Sequence, residues 1–164
     1  MSLLDGELNE KPMQADINNV IDISLDTATK QRFRINGDND AIIELNVSDF
    51  GIIERLEKGL TDLDKHMKTI SNIPDSMEDK EISVKLKEVD KHMRECVDYI
   101  FDYPVSAVCA KGGTMYDPKG GKFRYEAIID GLLQLYTDNI NHEAKLIEAR
   151  VKKHTDKYTS KKKK

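Results

Sequence analysis

The chain has 164 residues, a formal net charge of −4, and 38% apolar against 34% charged residues, enough for one core and too little for several domains. Mean hydropathy is −0.60; no run nears the roughly 18 apolar residues of a spanning helix, and the start is neither basic nor apolar, so a soluble chain without leader or span is expected. Two cysteines, Cys96 and Cys109, exclude a disulfide framework and a four-thiolate zinc site and suit a reducing compartment.

Residues 1–15 mix acids, Pro12 and scattered apolar side chains without a period, which reads as a flexible arm. From Ile17 the period becomes two: Ile21, Ile23 and Leu25 alternate with Asp22, Ser24 and Asp26, as in a half-buried strand. Phe33 and Ile35 repeat the alternation, and Ile43, Leu45 and Val47 repeat it again beyond Asn36-Gly37-Asp38-Asn39-Asp40, whose residues tolerate left-handed backbone. The pattern predicts a three-stranded antiparallel meander. Asp38 and Asp40 stand in a turn rather than a calcium loop, because the EF-hand glycine and closing glutamate are missing.

Helix is predicted from Ser48, an N-cap with Asp49 behind it, through a seam of Ile53, Leu56, Leu60, Leu63, Met67 and Ile70. After Ser71-Asn72-Ile73-Pro74 a second helix is predicted from Ser76, with the seam Ile82, Leu86, Val89, Met93, Cys96 and Ile100. Two matched seams joined by a short turn bury one another in an antiparallel hairpin. Asp-Lys-His-Met occurs in both helices, at Asp64–Met67 and Asp90–Met93. With the seams aligned about the turn, His66 falls opposite the region of Lys87 and His92 opposite that of Thr61, several turns apart, which argues against a shared metal.

Past Tyr103-Pro104, the segment Lys111–Lys122 carries glycine pairs but no Gly-Lys-Ser/Thr, so it reads as tight turns with Met115 and Tyr116 packed beneath and as a contact candidate rather than a nucleotide loop. The last helix is predicted from Tyr125 to His154, buried early through Ile129, Leu133 and Tyr136. After Asn141 its apolar strip shrinks to Ala144, Leu146, Ile147 and Val151 among charges, so the second half is expected to protrude. Charge is uneven: residues 1–110 carry −10 and residues 111–164 carry +6, with eight basic residues and one acid from Arg150 onward. The basic end suits a helix C-terminus, and with Tyr158 as its one aromatic residue it offers bases little to stack on.

The expected fold is α+β and predominantly helical: arm 1–15, one domain over 16–154 and a basic tail 155–164. No nucleophile elbow, zinc-protease motif or dinucleotide fingerprint occurs. Cys96 and Cys109 read as packing, and Asp98 and Asp102 as mutually repelling surface charges. No enzyme, cofactor or metal is expected.

Two segments resemble the tail assembly chaperones of long-tailed bacteriophages of Gram-positive bacteria. They are Lys30–Asp38 leading to Ile43–Phe50, and Gly113–Pro118 leading to Gly121–Glu126. The resemblance implies a non-enzymatic protein of the host cell cytoplasm. It would coat the helical tape measure protein and keep it soluble while tail tube subunits assemble around it. Contacts with the client, or with a second copy in a homo-oligomer, are expected at Leu56, Leu60, Leu63, Met67, Leu86, Val89, Met93, Tyr136, Ile140, Ile147, Val151, Lys152 and Lys153. Two other classes are a structural tail or virion component, which would persist in purified particles, and a nucleic-acid binder using the basic tail, whose affinity would fall steeply with salt.

Overall fold

The structure, a computed structural model, describes residues 19–25 and 30–162; the predicted arm 1–15 lies outside them. β1 (Gln31–Arg34) pairs antiparallel with β2 (Ile42–Leu45), Phe33 opposite Ile43. Their turn closes through the Ile35 N–H donating to the Ala41 carbonyl at 2.8 Å, with Asn36 (φ 53) and Gly37 (φ 72) left-handed. Ile43, Leu45 and Val47 alternate into the core as their period requires.

The expected meander has two strands, not three. Residues 19–25 carry no strand, and Ile21, Ile23 and Leu25 are exposed, Ile21 by 87%. Alternation fits a strand to a sheet edge only where a face exists to bury the apolar side, and among the described residues none covers these side chains.

α1 (Ile52–Ser71) begins four residues after the expected Ser48. The intervening turn is closed by Asp49, whose Oδ1 accepts the Gly51 N–H at 2.8 Å and whose Oδ2 accepts from Arg55 Nη2 at 2.9 Å. α2 (Asp79–Phe101) begins at Asp79 rather than Ser76, with no side-chain cap. It ends on Asp102 in the left-handed conformation, φ 51.

α1 and α2 form the expected antiparallel hairpin: Arg55 Nε donates to the Ile100 carbonyl at 3.0 Å. A Cβ on Gly59 would stand 2.4 Å from Ile100 Cγ1, so the helices approach here more closely than any other side chain permits. The seam of α1 holds at Leu56, Leu63, Met67 and Ile70 and departs from the expected one at Ile53 and Leu60, which are exposed. Ile52 is buried and Ile53 exposed, while Leu63 packs against Val89, Met93, Val97 and Ile100 in one core cluster.

α3 (Val105–Cys109) follows Pro104. β3 (Pro118–Lys119) and β4 (Lys122–Phe123) form a second hairpin whose turn, Gly120-Gly121, has φ of 64° and 81°. This pair of left-handed residues matches the twist of the flanking strands. α4 (Arg124–Lys162) spans 39 residues. Ile129, Leu132 and Tyr136 of α4 bury against the same core, Phe101 and Tyr136 having ring centroids 6.1 Å apart. The region read as a tail from residue 155 is helical through Lys162. No helix among the described residues is long and apolar enough to cross a membrane.

Candidate functional site

α4 leaves the body at Asn139, whose Nδ2 donates to Ser48 Oγ at 3.0 Å and to the Val47 carbonyl at 3.3 Å. Ile140 is half-buried, and every side chain from Asn141 to Lys157 is exposed. At 1.5 Å per residue the helix beyond Ile140 projects about 30 Å. Leu146, Ile147 and Val151 are 52%, 61% and 58% exposed. Arg150, Lys153, His154 and Lys157 flank Ile147 and Val151 along a shallow groove. An apolar strip edged with cations has the chemistry that complements an amphipathic, acid-flanked helix. Helix propensity alone makes an isolated segment of this length marginal in water.

The thirteen residues expected to touch a partner divide sharply. Leu63, Val89, Met93 and Tyr136 belong to the core and cannot meet another chain without opening it. Leu56 and Met67 pack half-buried against that core. Leu86 lines a groove with Ile82, Thr114 and Tyr116, and Tyr116 donates its hydroxyl to the Leu86 carbonyl at 3.4 Å. Leu60 is 42% exposed, and Ile147, Val151, Lys152 and Lys153 are fully on the projecting helix. The expected surface is therefore concentrated on α4, because the α1 and α2 seams are consumed by each other and by the sheet.

The segment between α3 and α4 was expected to turn tightly over Met115 and Tyr116, and it does: Met115 is fully buried and Tyr116 half-buried. The residue that holds it, Arg94, gave no motif to find. Its guanidinium donates to Asp90 at 2.9 Å and to the carbonyls of Ser106, Ala110 and Gly113, while Asp90 accepts the Met115 N–H at 2.7 Å. A planar fork with several donors can gather three carbonyls; an ammonium cannot do so in the same geometry.

Asp98 is not the repelled surface charge expected. It accepts the Ser106 N–H at 2.8 Å and the Ser106 hydroxyl at 3.0 Å, closing the start of α3. Burial pushes its carboxyl above the ordinary range even though Ser106 and Arg94 pull the other way. Burial likewise pushes Cys96 up to about 11 and raises Cys109, which disfavours the thiolate at both.

The histidines are a second correction. His66 and His92 are not several turns apart; their rings stack at 5.5 Å with an interplanar angle of 11°. α2 extends past the end of α1 by about two turns, so the facing register is not centred on the linker. The same groove contains Lys58, Asp62, Glu95, Cys96 and Tyr99, with Lys58 Nζ 5.3 Å from the centroid of the Tyr99 ring.

Compared with family models, curated proteins and solved structures, the chain matches none.

Proposed function

We propose that the protein is a non-enzymatic phage tail assembly chaperone of the host cytoplasm. It grips the helical tape measure protein with the outer half of α4 and keeps it soluble while tail tube subunits polymerise. The observation that carries this reading is the projecting stretch Asn141–Lys157, a bare amphipathic helix attached to a well-packed body. The client class comes from the resemblance of Lys30–Phe50 and Gly113–Glu126 to that family. The physics suits it: a long helical client exposes repeated apolar stripes, and many weak helix-on-helix contacts hold it while each stays displaceable.

Co-expression with the neighbouring tape measure gene tests this, with soluble complex as the readout. Burying Ile147 and Val151 contributes about 1.5–3 kcal/mol each, so Ile147→Asp with Val151→Asp should weaken the complex by about a hundred-fold or more. Undiminished complex from the double variant rejects the α4 surface. A client equally soluble without the protein rejects the chaperone role.

A further inference from the structure

β1 has one edge that nothing among the described residues pairs with. Ile35 donates its N–H to the Ala41 carbonyl at 2.8 Å. Hydrogen-bonding direction alternates along a strand, so Gln31 and Phe33 also turn toward β2, while Arg32 and Arg34 turn their N–H and C=O groups to the other edge. No third strand lies there among the described residues. Beside β1 is an open groove of about 510 Å³, lined by Phe33 and Ile35 and, from α4, by Ile128, Leu132 and Leu135. No residue of β2 lines it, which places it on the unpaired side of β1. Gly131 of α4 lines it too, and a Cβ built there meets nothing within 4 Å. Glycine weakens a helix interior, and no contact among the described residues requires one here.

Residues 19–25 carry the complementary pattern. Ile21, Ile23 and Leu25 alternate with Asp22 and Ser24, and all of these side chains are exposed. β1 alternates likewise, with Phe33 and Ile35 half-buried against the core and Arg32 and Arg34 exposed. We propose that residues 19–25 of a second copy add to β1 as an antiparallel strand and seat Ile21 and Ile23 in the groove beside Gly131, each copy lending its segment to the other. Facing residues on neighbouring strands point to the same side, so Ile23 opposite Phe33 puts Ile21 opposite Ile35 and Asp22 opposite Arg34. Asp22 and Arg34 have no ion-pair partner among the described residues, whereas Arg32 lies 3.8 Å from Glu44 of β2. The pairing thus joins apolar to apolar on the inner face and acid to base on the outer one. Within one molecule the segment stays exposed and the groove stays open, so the strand comes from another. Reciprocal exchange about a two-fold axis covers both β1 edges at once and closes the assembly at two copies. The contact uses none of the outer half of α4 assigned to the client.

The test uses the full chain over a concentration series, with mass from sedimentation equilibrium and amide exchange on the same samples. The expected result is a monomer–dimer equilibrium in which the amides of Arg32, Arg34 and the segment 19–25 slow as dimer forms. A monomer at every concentration overturns the proposal. So does protection of β1 that ignores concentration, which is the chain's own segment folding back, and so does a dimer whose protection lies elsewhere. Ile21→Asp with Ile23→Asp should weaken the dimer by about a hundred-fold or more. Its circular dichroism and urea midpoint should match the wild type, because both side chains are exposed in the single chain. Gly131→Phe should fill the groove and leave a folded monomer. Ile147→Asp with Val151→Asp should dimerise as wild type, which separates this contact from the client surface. A dimer that survives the strand and groove substitutions, or one lost with Ile147 and Val151, overturns the exchange.

Discussion

Gly59→Ala tests the hairpin register on which both the core and the histidine groove depend. An alanine Cβ would stand 2.4 Å from Ile100 Cγ1 and 2.6 Å from Cδ1, and Ile100 is fully buried, so it has nowhere to swing. In an open helix the same change stabilises by about 1 kcal/mol through backbone entropy. Overpacking of a filled core costs about 1–3 kcal/mol, so the net effect here is a loss of up to about 2 kcal/mol. Removing Ile100 reverses the sign. Ile100→Ala alone costs about 2–5 kcal/mol, and adding Gly59→Ala to it should recover about 1 kcal/mol, since the propensity gain remains and the clash is gone. Urea unfolding of the four proteins, followed by circular dichroism, gives a coupling energy of about 2 kcal/mol if the contact is as described. Gly59→Ala stabilising both backgrounds alike would refute the close approach and the facing register.

Other outcomes follow from individual contacts. Arg94→Ala should cost about 2 kcal/mol by releasing three carbonyls and the Asp90 carboxylate, and Arg94→Lys should not restore it, as read from urea midpoints and amide exchange over residues 106–115. Asp49→Asn should cost about 1 kcal/mol near neutral pH by weakening the Gly51 and Arg55 contacts. Burial pushes the Asp49 carboxyl up, but the Gly51 N–H and Arg55 outweigh it and leave it below 3.8. Its stabilisation is therefore full above 3.8, and the gap between wild type and variant should close as acid titration passes through the folded value. Ile147→Asp with Val151→Asp should leave the melting of the body within about 0.5 kcal/mol of wild type, because both side chains are exposed.

The hairpin was legible because Leu56, Leu60, Leu63 and Met67, and again Leu86, Val89, Met93 and Cys96, repeat at spacings of three and four, a signal that survives without knowledge of the partner. Its register was not legible, since sliding one helix along the other leaves the same seams satisfied. What fixes the offset is Gly59 lying under Ile100, and a single glycine in a helix carries no label saying what it admits. That offset placed His66 against His92, so the sequence repeat was visible while its meeting across the hairpin was hidden. The alternation of Ile21, Ile23 and Leu25 looked like that of Ile43, Leu45 and Val47, yet only the second run has α3 and the hairpin to cover it. Arg94 and Asp98 make polar contacts with residues 8 to 19 positions away, for which local periodicity has no term. The protruding half of α4 was legible because its apolar strip narrows after Asn141 while charge rises on every side.

Amide hydrogen exchange on the chain mixed with its proposed client, the tape measure protein, compared with the free chain, tests the central claim most directly. A helix with no tertiary cover opens easily, so amides from Asn141 to Lys157 should exchange fast in the free protein and slow strongly in the complex. Slowing confined to the α1–α2 hairpin or the sheet, with none beyond Ile140, would contradict the account.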